Sequence, residues 1–419
     1  MKRLCLIGFT FFLLVACKND DDQIMDECKT PTNLSVTQIT DVSAILNWEN
    51  SNDYSEIKIE YGEVGFLPGE GTILTTSQNS ISINDLFPNT NYDFYVQALC
   101  SIENISIESV INSFITDVSP VIPEFLPTLS EMNLFTGNIA ELNISPKAFL
   151  YEISTPLHTD YAHKQRVISL PSGTSMEYQD DGLPIFPDGA LIAKTFYYNH
   201  DETNLDLGRK IIETRILIKQ SNVWHIGNYL WNENQTDAVL DEDEHIVPIS
   251  WINEFGEEMT TNYEVPNYLS CVMCHQNNGN RTPIGPKIRS MNFDVNGSNQ
   301  LTEFTNKNYL INTPDPSSIS SLPNWNDTSY SDEERTKAYF DMNCAHCHSP
   351  GGFHNNNYYG NMDFRLETSF EDSQIYENRF SIRTRFPSSI PGYSMPYIGV
   401  TIPHQEAIDL IIPYLETLE

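Results

Sequence analysis

The sequence predicts a multidomain protein: a small antiparallel β-sandwich, then a β-rich middle domain, then a mainly α C-terminal region. Three observations carry this. Residues 28–117 alternate apolar and polar positions with a period of two. Residues 129–265 hold short apolar and aromatic runs broken by Gly, Pro, Asn and Asp. The last third carries two similar pentapeptides, Cys271-Val272-Met273-Cys274-His275 and Cys344-Ala345-His346-Cys347-His348, the second behind a clear helix-start signal. A length of 419 residues allows two or three domains with real cores.

The chain starts with Met1-Lys2-Arg3, a positive segment, and residues 6–15 form an apolar run too short for a comfortable span. Leu14-Val15-Ala16-Cys17 resembles a bacterial lipobox, which implies a signal peptide over 1–16 and a lipid on Cys17; an ordinary secretory cut near Ala16 is the alternative. Lys18-Asn19-Asp20-Asp21-Asp22 resembles the acidic export signal of Bacteroidota surface lipoproteins. The resemblance implies an acidic tether over 17–27, membrane attachment through the lipid anchor, and an outer-membrane location at the cell surface or otherwise on the periplasmic face. Lys and Arg total 23 against 57 Asp and Glu, a formal net charge of -34. Such a surface repels nucleic acid and is compatible with a basic redox partner, though solubility alone explains the charge as well, so it does not choose a function.

In the first domain, residues 28–117, alternation is clear at Ala44, Leu46 and Trp48, at Ile57, Ile59 and Tyr61, and at Tyr92, Phe94, Val96 and Ala98. With Trp48 early and Leu86-Phe87-Pro88-Asn89-Thr90-Asn91-Tyr92 late, the order resembles a fibronectin type III domain, which implies that Trp48 and Tyr92 are core residues. In this version Cys28 would be bridged to Cys100, a long closed loop worth on the order of 4 kcal/mol if unstrained. The domain is expected to act as a spacer or docking module. Residues 118–128, with Pro120, Pro123 and Pro127, read as a stiff linker.

The middle domain, 129–265, offers strands at 148–151, 166–170, 191–198, 211–218 and 224–231, with turns at Pro171-Ser172-Gly173 and Pro187-Asp188-Gly189. Thr159-Asp160-Tyr161-Ala162-His163-Lys164, Phe186-Pro187-Asp188-Gly189, Glu213-Thr214-Arg215 and Trp231-Asn232-Glu233-Asn234-Gln235-Thr236-Asp237-Ala238 resemble segments of an uncharacterised bacterial family that ends in c-type haem motifs. That resemblance covers the chain from about residue 129 onward. His158, His163 and Lys164 are candidates to face a haem edge or propionate; each also reads as an ordinary structural or exposed residue. Asp241-Glu242-Asp243-Glu244 reads as a solvated acidic loop before a cation site.

In the last region, 266–419, both pentapeptides have the form C-x-x-C-H, the attachment signature of c-type haem. Cys271, Cys274, Cys344 and Cys347 would form thioethers, with His275 and His348 as axial ligands of two covalently attached haem c groups. Pro283-Ile284-Gly285-Pro286 resembles the turn of class I cytochromes c that accepts a hydrogen bond from the axial histidine. The sixth ligand of the first iron is open: Met291 follows closely, and Met342 and His354 reach it only through tertiary folding. Ser331 and Glu334 predict a capping box for a helix that delivers Cys344, Cys347 and His348. Pro391-Gly392-Tyr393-Ser394-Met395-Pro396-Tyr397-Ile398-Gly399 resembles the methionine loop of cytochromes c, which implies Met395 as the second iron's distal ligand. A closing helix from about residue 404 has an apolar stripe of Ile408, Ile411, Leu415 and Leu418 and a bend at Pro413. His346, between two thioether positions, is expected to be exposed.

Cysteine usage agrees with this assignment. Of 8 cysteines, Cys5 leaves with the signal, Cys17 takes lipid, four serve the two motifs, and Cys28 and Cys100 remain as a disulfide in an oxidising compartment. A zinc reading needs two motifs distant in sequence to combine into one site. The expectation is therefore a dihaem protein passing single electrons. The alternative is a redox enzyme, analogous to dihaem peroxidases, with an open position on the first iron and Arg281, Arg289, His163 or Glu213 as pocket candidates.

Overall fold

The computed structural model describes residues 27–52 and 56–418. Cys17, the signal peptide and nearly all of the tether lie outside them. The described chain divides into two compact units, with the boundary between Ser119 and Pro120.

Among its described residues the first unit has seven strands: β1 (Thr32–Thr37), β2 (Ala44–Glu49), β3 (Glu56–Glu63), β4 (Thr72–Thr76), β5 (Ser80–Ile83), β6 (Asn91–Leu99) and β7 (Asn112–Ile115). They form two antiparallel sheets, ordered β1-β2-β5 and β4-β3-β6-β7. The period-two pattern does the work: Leu46, Trp48, Ile57, Ile59, Phe94 and Val96 point into one shared core. Tyr92 is buried, and its hydroxyl accepts the Phe87 N–H at 2.9 Å, fixing the corner before β6. Trp48 and Tyr92 are thus core residues, and Phe87 is the aromatic left outward here, 65% exposed. Cys28 and Cys100 are bonded, with Cα atoms 5.9 Å apart. Glu60, which no sequence pattern marks, is fully buried on the other face of β3 and accepts Gly69 N–H at 2.6 Å, Gly71 N–H at 3.1 Å and the Tyr95 hydroxyl.

The second unit is built on a six-stranded antiparallel sheet. Its members are β8 (Ala148–Leu150), β9 (His163–Ser169), β11 (Leu191–Asn199), β12 (Arg209–Gln220), β13 (Val223–Trp231) and β14 (Ala238–Leu240); β10 (Met176–Glu177) lies apart. The order is β14-β13-β12-β11-β9-β8. Both faces are covered, which explains why alternation is only partial along these strands. On one face Val167, Leu191, Ala193, Ile216 and Ile218 pack against Leu129, Met132, Leu134 and Leu142 from the segment expected to begin the middle domain. On the other, Ile168, Ile192, Leu217 and Ile226 pack against Cys271, Ile288, Met291, Leu301, Ala338 and Met342. Residues on either side of position 265 therefore share one core. A hairpin of β15 (His245–Ile252) and β16 (Glu258–Val265) closes the sheet's end over Phe196, Tyr198 and Ile212.

Seven helices follow: α1 (Tyr268–Cys274), α2 (Ile288–Met291), α3 (Gln300–Asn306), α4 (Asp332–Asn343), α5 (Phe353–Tyr358), α6 (Ile375–Arg385) and α7 (Gln405–Glu416). At α4 Ser331 and Glu334 form the expected capping box. α7 holds Pro413 within it and lays Ile411 and Leu415 against Tyr339 and Phe340 of α4. Among the described residues no helix is long and apolar enough to cross a membrane.

Candidate cofactor site

The first motif is set by α1 and the turn after it. Asn267 caps α1 through the Ser270 N–H at 3.0 Å, so the helix starts three residues before Cys271. After His275 the chain folds back in a small hairpin, Gln276–Asn277 against Asn280–Arg281, turning on Asn278-Gly279 with φ of 50° and 78°. This returns Thr282, whose N–H donates to His275 O at 2.9 Å and whose carbonyl lies 3.0 Å from His275 Nδ1. The expected carbonyl partner of His275 is therefore Thr282 O, immediately ahead of the Pro283-to-Pro286 turn. Nε2 is left as the ligating nitrogen.

The second motif follows α4, whose last residue is Asn343; Cys344 occupies the cap and the Cys347 and His348 amides donate back to Cys344 O. Cys344, Cys347, His348 and Met395 line one cavity of about 350 Å3, together with Tyr339, Phe386 and Tyr397. The volume falls in the range of about 300–1,000 Å3 usual for small-molecule pockets. His348 is buried and its Nδ1 has no hydrogen-bond partner. Burial first, and then His354 with its ring centre 4.4 Å away, push His348 down to about 3. His275 is likewise pushed to about 3, by burial and then by the Lys194 ammonium. Both imidazoles are held neutral, the form that ligates a metal.

The two motifs meet. The Asn278 N–H donates to Gly351 O at 2.8 Å and Asn277 Nδ2 to Pro350 O at 2.9 Å, joining the loops after each motif. Gly351 has φ of +83°, and a Cβ there would lie 2.5 Å from Asn278 Nδ2, so glycine is required. Further along, Asp341 of α4 takes Lys287 Nζ at 2.9 Å and Arg289 Nη2 at 2.8 Å. As a result, ligand atoms of Cys274, His346 and Cys347 lie within 4.8 Å of one another. The hydrogen bond with Cys347 holds the Cys274 thiol well below its ordinary value, against burial and with help from His346; the same contact pushes Cys347 up.

His346 is thus not the exposed side chain expected. It is half-buried, its Nδ1 is buried without a partner, and it lines both this cavity and a second one beside the first motif. The reason is tertiary: α1 packs over the motif and covers the position that local spacing leaves facing water. That second cavity, about 70 Å3, is lined by Cys271, Cys274, His275, His158, Lys194 and Arg215 among others. Residues Pro396, Ile398, Gly399 and Val400 form its far wall. Asp160, buried, anchors that wall by accepting the Thr401 N–H at 2.7 Å, the Thr401 hydroxyl at 2.6 Å and the Ile402 N–H at 2.9 Å.

A haem group fits the second motif on its donor set, two thiols, a neutral imidazole and the Met395 thioether around one cavity. At the first motif the two thiols and the oriented neutral histidine fit, while the cavity is smaller than that pocket range.

The other candidates are dispersed. Met291 and Met342 are core filling in the cluster under the sheet. His354 stands beside His348. His163 pairs with Glu202 at 2.6 Å and Lys164 donates to Ala162 O at 2.9 Å. Arg281 meets the Tyr268 hydroxyl, Arg289 is bound to Asp341 and Glu367, and Glu213 takes Arg215 and the Tyr263 hydroxyl. Among the described residues Asp241–Glu244 brings no third ligand into a metal cluster; Asp241 pairs with His245 at 3.1 Å. Lys194 and Arg215 escaped notice as site residues, although a lone Lys inside the apolar run 191–198 was a legible signal.

Comparison with known proteins identifies the class of the N-terminal unit: the family described as fibronectin type III domain matches residues 29–110. That unit is a fibronectin type III domain. Similar solved structures include a computer-redesigned β-sandwich protein, 25% identical over 22% of this chain and 96% of its own, TM-score 0.20. Another is the fibronectin type III domain of human fibronectin type III domain containing protein 3, 20% identical over 22% and 89%, TM-score 0.20. The FN5 domain of Drosophila Lar is 21% identical over 21% and 96%, TM-score 0.19. No curated protein matches the chain.

Proposed function

We propose that the chain is a dihaem c-type electron-transfer protein, exported and lipid-anchored at the outer membrane through Cys17. One haem is attached at Cys271 and Cys274 with His275 axial, and the other at Cys344 and Cys347 with His348 and Met395 axial. Haem iron held by His and Met exchanges single electrons with little change in its coordination. The chain's residues orient and exclude water: Thr282 O fixes the His275 ring, and Tyr339, Phe386 and Tyr397 wall the cavity of the second motif. The observation that carries the reading is the shared cavity of Cys344, Cys347, His348 and Met395, with Cys274 of the first motif set against Cys347. The acidic chain is compatible with a basic redox partner.

The convergence of Cys274, His346 and Cys347 also favours a second reading, a thiolate and imidazole metal site of the zinc type. The two exclude each other, because a thioether sulfur is no longer a thiolate. Absorption and EPR spectra of the protein expressed with haem-attachment machinery, with and without carbon monoxide, together with metal analysis, decide. Two low-spin haems indifferent to carbon monoxide support electron transfer. A first iron that binds it moves the assignment to a peroxidase-like enzyme, and zinc without haem selects the second reading.

A further inference from the structure

A chain with 57 acidic and 23 basic residues gathers four of its cations on one sheet face. Lys194 of β11 lies directly across from Arg166 of β9 and Arg215 of β12, and Lys164 stands two residues before Arg166 on the same face. Glu213 takes both donors of the Arg215 fork, and Arg166 pairs with Glu152 at 3.0 Å. Among the described residues Lys194 Nζ has no hydrogen-bond or ion-pair partner, and the Phe196 ring lies 5.2 Å away to its centroid. Burial, then Arg215 and Arg166, push this ammonium down to about 7. A half-buried cation among cations is unfavourable unless an anion joins it. Arg215 and Lys194 line the cavity of the first motif together with Cys271 and Cys274.

We propose that Lys194 and Arg215 form a carboxylate-binding cradle in the cavity of the first CxxCH motif, and that a propionate of the haem attached there is the carboxylate it holds. The assignment of a propionate rests on the dihaem reading; the cradle itself does not. Arg215 is pre-oriented by Glu213, which itself accepts the Tyr263 hydroxyl at 2.6 Å, so the guanidinium that lines the cavity is held in place at little further entropic cost. Lys194 supplies the uncompensated charge. The same chemistry would accept a small free carboxylate, and the test separates the two sources.

The test uses the full-length, haem-loaded protein with Lys194→Met and Lys194→Arg, their folding checked by circular dichroism. If a propionate is held, Lys194→Met lowers one of the two haem potentials and leaves the other unchanged. It also shifts the propionate bending band in the resonance Raman spectrum, and Lys194→Arg restores both. Saturable spectral change with added acetate in the wild type, lost in Lys194→Met, with an unmoved propionate band, overturns the propionate assignment in favour of a free anion. Potentials, Raman band and acetate response all unchanged in a folded Lys194→Met overturn the cradle. Should mass spectrometry find no haem, the dihaem reading fails separately. The cradle then stands if acetate raises the Tm of the wild type and not of Lys194→Met, and falls otherwise.

Discussion

Asp341 shows how much a single buried carboxylate organises. It is 2% exposed and bound by Lys287, Arg289 and the Leu366 N–H at 3.0 Å, tying the segment after the first motif to the helix before the second. Burial opposes its charge, but Lys287 and Arg289 hold the carboxyl below its ordinary value. A depressed value means that its stabilisation is full above the unfolded value of about 3.9 and is lost as pH falls through the folded one. Asp341→Ala leaves Arg289 buried without its main partner and is expected to cost about 3–5 kcal/mol in urea unfolding at neutral pH. The difference from wild type should shrink on acidification through the folded value; a constant difference would contradict the linkage. Met395→His should keep the second haem low-spin and lower its potential, since histidine replaces a ligand that raises it. An unchanged potential would remove Met395 from the iron. At this scale the motif residues were legible because their chemistry is local, two thiols and an imidazole in five positions. His346 and Arg215 were not, because their placement depends on what packs over them, whereas Lys194 is marked as a lone cation in an apolar run.

The 395–402 segment is the element on which both cavities depend. Pro396 and Ile398 line each of them, and Asp160, far away in sequence, is its anchor. Asp160→Ala strips partners from two part-buried backbone amides, at about 1 kcal/mol. Hydrogen exchange over 396–402 should quicken and the second haem should lose part of its low-spin character; unchanged exchange would show the anchor to be dispensable. Helix signals were readable here: the Ser331 and Glu334 box and the apolar stripe of α7 appear where the pattern put them. The hairpin that orients His275 also had its signal, Asn278-Gly279, too short to register beside longer strands. The Asp160 anchor had none, since a carboxylate's partner across the fold leaves no periodic trace.

At the scale of the molecule, the disulfide belongs to one unit and the cofactor motifs to the other. Cys28→Ser with Cys100→Ser should therefore destabilise the fibronectin type III domain by about 2–5 kcal/mol while leaving absorption bands of the second unit unmoved. A shift of those bands would contradict their independence. The sandwich was legible as a class because alternation, corner tyrosine and cysteine pair all point the same way, while the buried Glu60 was not. The union of 129–265 with the helical region was not, because a sheet covered on both faces states only that it is covered and not by which residues. The central claim, that each CxxCH motif carries a haem, is tested most directly by peptide-mapped mass spectrometry of the full-length protein made with haem-attachment machinery. The account predicts a haem adduct on both the Cys271-to-His275 and the Cys344-to-His348 peptides. Free thiols on both, with one zinc per chain, would contradict it.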